Sequence, residues 1–240
     1  MFLHTLFTPG LILLATAADP APTQAPPTAY EPTASYTVQR VEGWPVYLSR
    51  QLAVEDRELG RQVLDLLRVK LYDIGREVPE PAVGKLRQVP LWLERTDRDV
   101  KCACYHPSRQ WLTVHGFNPD KAQAVEIGNA KNFLAWSHHQ PSMVLHELAH
   151  AYHDRFLGGY GNPELTAAFR RAQQGKRYES VLYCRGNRKR AYALNNPQEY
   201  FAELTEAWFG TNDFYPFVRA EVLEFDPEMA ALLKKLWDSR

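Results

Sequence analysis

The chain of 240 residues has only three cysteines and three methionines. So few cysteines exclude a disulfide-built scaffold, and the length is enough to bury a core without staples. There is no charge surplus either, because 28 basic residues stand against 28 acidic ones. A dedicated nucleic-acid binder carries a strong basic excess, so no nucleic-acid partner is expected. Beyond the first stretch of about 20 residues no apolar run is long enough to cross a bilayer. No internal repeat is visible. What is present is a globular balance, 45% hydrophobic and 23% charged, unlike that of a disordered or collagen-like chain.

The N-terminal segment has an apolar centre, Leu11-Ile12-Leu13-Leu14, followed by small residues in an Ala15-x-Ala17 pattern. This reads as a signal peptide over residues 1–18 and implies a secreted or periplasmic protein. No Lys or Arg precedes the apolar centre, so an uncleaved membrane anchor is the alternative. No Cys follows it, which argues against a lipid anchor. Residues 19–35 carry Pro20, Pro22, Pro26, Pro27 and Pro32 among Ala, Thr and Gln. Such a stretch has no apolar face and is expected to be an extended tether outside the fold. Residues 36–240 then form one domain, expected to be a monomer.

Within that domain, Val38–Leu48 alternates loosely and suits a strand broken by Gly43-Trp44-Pro45. Between Val54 and Ile74 the residues Leu59, Val63, Leu66, Leu67, Leu71 and Ile74 fall on one side at the helical period. Short strands are expected at Val89–Leu93, Trp111–Val114 and Ala124–Ile127, and a helical turn at Asn132–Trp136. From Pro141 onward the pattern is almost wholly helical. One helix starts at Pro141 and stops at Gly158-Gly159; others start at Pro197 behind Asn196 and at Pro227 behind Asp226. This order predicts an α+β domain, a small mixed sheet beside a mostly helical C-terminal half.

The first of these helices contains His146-Glu147-Leu148-Ala149-His150. Histidines at i and i+4 share one helix face and can reach a single ion from the same side, while Glu147 projects from an adjacent angle toward a metal-bound water. Two unpartnered histidines and a glutamate among Val144, Leu145, Leu148 and Ala149 are costly to bury, and a zinc ion removes that cost. A catalytic zinc needs a third protein ligand. The position six residues after His150 is Phe156, so the ligand comes from elsewhere. Asp154, at i+4 from His150, is placed to orient an imidazole N–H. The helix from Pro197 supplies Glu199 and Glu203 on one face: Glu199 as zinc ligand, Glu203 as hydrogen-bond partner of a ligating histidine. The bland alternative for Glu199 is a capping box with Asn196, in which its carboxylate folds back to the cap amide.

The His146-Glu147-x-x-His150 motif, followed by Tyr192 and by Glu199-Tyr200-Phe201-Ala202-Glu203, resembles the gluzincin metallopeptidases, and among them the anthrax lethal-factor-like type. In that group a Glu-aromatic-Phe-Ala-Glu block supplies the third zinc ligand, and a tyrosine seven residues earlier faces the metal; Tyr192 stands seven before Glu199. The resemblance implies a zincin-like fold and one zinc ion on His146, His150 and Glu199. It also implies Glu147 as general base and Tyr192 as proton donor or oxyanion stabiliser. It covers roughly 60 residues and leaves 36–130 unmatched. The aminopeptidase-type Gly-x-Met-Glu-Asn block is absent, which favours an endopeptidase acting on protein or peptide substrates. Two other functions fit the same residues: a zinc-holding binding module without turnover, and an amidase acting on a non-peptide amide.

Remaining features have bland readings beside sharper ones. Tyr192 is either catalytic or part of a surface segment. Val125-Glu126-Ile127 is either a strand at the cleft edge that binds substrate backbone or an ordinary sheet strand. The basic run Arg185, Arg188, Lys189 and Arg190 is a solvated loop or a selector for acidic side chains. Cys102, Cys104, His106 and Cys184 are spaced poorly for a second zinc site; in an exported chain one of the first two cysteines is expected to bridge to Cys184.

Overall fold

The computed structural model describes residues 30–96 and 100–238. The expected signal peptide, and the expected tether up to residue 29, lie outside the described residues. A mixed five-stranded sheet forms the first half: β1 (Thr37–Val41), β2 (Trp44–Leu48), β3 (Leu91–Leu93), β4 (Ala103–His106) and β5 (Ala124–Ile127) in the spatial order β1-β2-β3-β5-β4. The β1–β2 hairpin turns through Glu42 and Gly43, both at positive φ (50° and 94°), as a two-residue hairpin turn requires. β3 and β5 are parallel neighbours and buried along their whole length, as interior strands covered on both faces are.

Most of the helices pack on one face of this sheet, and the segment around Leu112 packs on the other, beside Cys104. α1 (Arg57–Glu77) is capped by Asp56, which accepts from the Leu59 amide, and buries Leu59, Val63, Leu67, Leu71 and Ile74 of the expected stripe, while Leu66 is half-buried. It is followed by α2 (Glu80–Leu86), α3 (Arg109–Val114) and α4 (Ala130–Trp136). The helical half contains α5 (Met143–Phe156), α6 (Pro163–Gly175), α7 (Pro197–Phe209), α8 (Arg219–Phe225) and α9 (Pro227–Trp237), with one small hairpin of β6 (Val181–Leu182) and β7 (Arg188–Lys189). The α+β class expected from the sequence is the observed one.

Several local expectations differ. Trp111–Val114 is helical, not a strand. Ser108 accepts from the Trp111 amide as an N-cap, the Trp111 ring stacks on His115 one turn later at 4.0 Å, and no sheet edge is paired with the segment among the described residues. Ala103–His106, which has no β-branched residue, is a strand because β5 offers it a register, Cys104 opposite Glu126. β5 itself lies between β3 and β4, so Val125–Ile127 is not an edge strand. Residues 31–35, expected in the tether, dock on the domain. Thr33 donates to Asp120 (2.7 Å), Asn118 donates to the Glu31 carbonyl (3.2 Å), and the Glu31 carboxylate accepts from the Arg50 amide (2.9 Å). No cysteine is in a disulfide: Cys102 Sγ is buried 3.2 Å from Met143 Sδ, whereas Cys184 is exposed near the His139 carbonyl.

α5 packs against α7 on one side and β4 on the other. Ser142, just ahead of α5, accepts from the Thr211 amide just beyond α7 (3.0 Å). A Cβ at Gly210 would meet the Ser142 hydroxyl at 2.6 Å, so this junction needs glycine. The far end is clamped by Trp237, which stacks on Tyr152 of α5 (4.2 Å) and donates to Thr205 of α7 (3.2 Å). Asp226 caps α9 through the Met229 amide and accepts from Tyr178 and Tyr200 (3.0 and 2.6 Å).

His153 sits in this core fully buried, its ring edge-on to Tyr160 and Phe201, and neither ring nitrogen has a hydrogen-bond partner among the described residues. Burial, with His150 nearby, lowers its pKa to about 4. The unfolded chain therefore binds a proton between the ordinary value of 6.5 and pH 4 that the folded chain refuses, so stability is full above that window and falls as the pH drops through it. The loss from this group across the window is on the order of 3 kcal/mol. Urea unfolding of a His153→Phe variant should show an acid limb shallower by about that amount; an unchanged limb would rule His153 out as its source.

Candidate metal centre

Helix geometry turns His146 and His150 toward the same side of α5, their rings edge-on at 4.7 Å. α7 approaches from the opposite side with Glu199 in its first turn. Asn196 caps this helix by accepting from the Glu199 amide (2.8 Å), but the Glu199 carboxylate does not fold back to the cap. It points at the histidines: Glu199 Oε2 lies 3.0 Å from His146 Nε2 and 3.4 Å from His150 Nε2. Three potential ligand atoms from two helices thus converge within 4.8 Å of one another.

The other nitrogen of His146 is held from behind. Nδ1 lies 2.7 Å from Glu206 Oε1 and 3.9 Å from Glu203 Oε1. The partner expected to be Glu203 is therefore Glu206, one further position along α7 at helical spacing. Glu203 is buried, and its Oε2 has no hydrogen-bond partner among the described residues. Asp154 does not orient an imidazole; it accepts from the Tyr105 hydroxyl of β4 (2.8 Å) and so ties α5 to the sheet edge.

The electrostatics are lopsided. Burial opposes a charged His146, yet the hydrogen bonds to Glu199 and Glu206 outweigh it and raise its pKa well above the ordinary value. Burial likewise opposes a charged Glu199, but the two imidazoles hold its carboxyl well below the usual range. Glu203, Glu206 and Asp213 are shifted upward, chiefly by burial; for Glu203 the neighbouring Glu206 adds to it. With Nδ1–H given to Glu206, a neutral His146 presents a lone pair at Nε2 to the Glu199 carboxylate. Such an arrangement demands a cation at Nε2, either a proton or a metal ion. Two imidazole nitrogens and one carboxylate oxygen are a donor set that suits zinc. Glu203 and Glu206 also group with His146, but at Nδ1, where no second imidazole is present, so the donor-rich point is at Nε2.

A cavity of about 330 Å³ opens beside His146, on the side of Glu203 and Glu206, and Glu147, Tyr192, Lys189, Asp213 and Ala103 also contribute to its walls. Tyr192, at the start of a 3₁₀ turn (Tyr192–Leu194), is 48% exposed and faces the cavity. Burial and the charge of Glu199 raise its pKa, so its hydroxyl stays protonated and able to donate. Of the basic run, Lys189 reaches the cavity wall, its ammonium over the Tyr183 ring at 4.0 Å, while Arg188 and Arg190 bond to nearby backbone at Ser180 and Leu194. The strand bordering the cavity is β4, through Ala103, with its outer edge unpaired among the described residues.

Glu206 and Asp213 are the site residues that sequence reasoning missed. Glu206 had a signal, lying one turn beyond Glu203 on the same face; Asp213 follows the end of α7 and had none. No model of a protein family, no curated protein and no solved structure matches this chain.

Proposed function

We propose that the chain is a zinc-dependent metallopeptidase of gluzincin type, with a zincin-like fold, that cleaves internal peptide bonds of proteins or peptides in a secreted or periplasmic setting. One observation carries the reading: a single carboxylate oxygen of Glu199 faces Nε2 of both motif histidines, at 3.0 and 3.4 Å. His146, His150 and Glu199 would hold the zinc. When bound, the ion supplies a Lewis acid that brings the pKa of a water to about 7 and polarises the scissile carbonyl.

The chain's own residues do the rest. Glu147, lining the cavity next to His146, takes the proton of the attacking water and returns it to the leaving amine. The Tyr192 hydroxyl donates to the carbonyl oxygen as negative charge builds there. Glu206 fixes the His146 ring by accepting from Nδ1. The open edge of β4 offers backbone N–H and C=O groups on which an extended substrate strand can pair.

A digest of a broad peptide library, paired with metal analysis, tests the reading. Zinc should copurify, a chelator should abolish cleavage, and added zinc should restore it. Cleavage indifferent to the chelator, or a zinc-loaded chain that cleaves no peptide, would overturn it. Glu147→Gln should retain zinc and lose at least about 10²–10⁴ of kcat; near-normal turnover would exclude Glu147 as base. Tyr192→Phe should lower kcat about 10²–10³-fold with KM little changed, and a raised KM with kcat unchanged would assign it to substrate binding instead. Glu206→Gln should weaken zinc affinity roughly tenfold, measured by competition with a chelating dye. Glu203→Gln should weaken it less, and the reverse order would return the orienting role to Glu203.

A further inference from the structure

A second group of ligating side chains lies on the other side of the sheet. Tyr105 points toward α5, where it reaches Asp154. Its neighbours Cys104 and His106 therefore project from the opposite face of β4, and Glu126 of β5 stands directly across from Cys104. His106 Nε2 is 3.4 Å from Cys104 Sγ and 2.5 Å from Glu126 Oε2. The three donor atoms fall within 4.8 Å of one another.

This is not the arrangement of a thiol nucleophile with its base. A relay needs the nucleophile on one imidazole nitrogen and the orienting carboxylate on the other. Here both meet Nε2, so the donors converge on a common point, as coordination of an ion requires. The charges agree. Glu126 and Glu94 are buried and share the ammonium of Lys121 (2.5 and 2.8 Å). One ammonium against two buried carboxylates leaves a place for a further positive charge beside Glu126 Oε2, where a proton on His106 or a metal ion can supply it. Lys121 bonds Oε1 of Glu126, and Oε2 faces His106.

The spacing is near that of a tetrahedral ion. With bonds of about 2.0–2.3 Å, donors lie roughly 3.3–3.7 Å apart; the Cys104–His106 pair is already there, and the His106–Glu126 pair opens by roughly 1 Å to join it. A cavity of about 620 Å³, lined by Cys104, His106, Trp111 and Phe117, adjoins the cluster and gives an entry path and an open coordination position. Cavity and cluster are separate from the donor set of His146, His150 and Glu199, which contains no sulfur.

We propose that Cys104, His106 and Glu126 form a second metal site, one that takes a thiophilic divalent cation such as zinc, with its fourth position open to this cavity. A thiolate among the ligands distinguishes it from the site on α5 and α7. Cobalt(II) loading of the purified chain under a non-thiol reductant reads this directly, because only a sulfur ligand gives a near-ultraviolet thiolate-to-cobalt charge-transfer band. The wild type should bind two equivalents and show the band. Cys104→Ser should bind one and lose it, and His106→Gln should also lose it, which keeps the test open if one variant folds poorly. Cys102→Ser should keep the band, and His146→Ala should keep it with one equivalent bound. A wild type loaded to saturation without the band, or a band that survives Cys104→Ser, would overturn the proposal. Failure of the peptidase reading would show differently, as a fully banded, metal-loaded chain without hydrolysis.

Discussion

The imidazole of His146 is held between two carboxylates of one helix, Glu199 at Nε2 and Glu206 at Nδ1. That contact can exist only if α5 and α7 lie side by side at fixed register. The fold supplies the register at both ends: through Ser142 against Thr211 with Gly210 between them, and through Trp237 wedged against Tyr152 and Phe201. The sheet enters as the floor on which α5 rests, tied to it by Tyr105 and Asp154. A ring gripped at both nitrogens has little rotational freedom left, so its Nε2 is aimed before any ligand arrives, and little ordering entropy remains to be lost on binding.

Crowding acids around one histidine has an electrostatic result. Glu203, Glu206 and Asp213 are buried close to one another, and burial pushes the pKa of each upward. On the proposed reading a divalent cation there would compete with protons for the same donor atoms, so its affinity would weaken in acid. Glu199 is the exception: two imidazoles face it and keep it ionised.

How much of this was legible in the sequence depends on how local the determinant is. Helix starts that use a side-chain cap followed by proline, at Asn196-Pro197 and Asp226-Pro227, are legible because the signal lies within four residues. The same signature at Asn162-Pro163 marks α6, which the sequence reading overlooked. The motif histidines and Glu199 are legible because helical spacing and a resemblance point the same way. Ala103–His106 was not legible as a strand, since only Tyr105 in it is a strong strand former and its identity comes from pairing with β5. The role of Glu206 was likewise hidden. Only the relative rotation of two helices decides whether Glu203 or Glu206 meets Nδ1, and rotation is set by packing far along the chain.

The open side of β4 carries a hazard. Unsatisfied backbone groups along a sheet border are a template for a strand of any neighbouring molecule, and long flat borders of this kind drive aggregation. Here the exposure is kept brief. The strand has four residues, and Pro107 follows at once, where it has no amide hydrogen with which to prolong a ladder. The border is thus long enough to seat a few residues of an extended segment and too short to nucleate a growing stack.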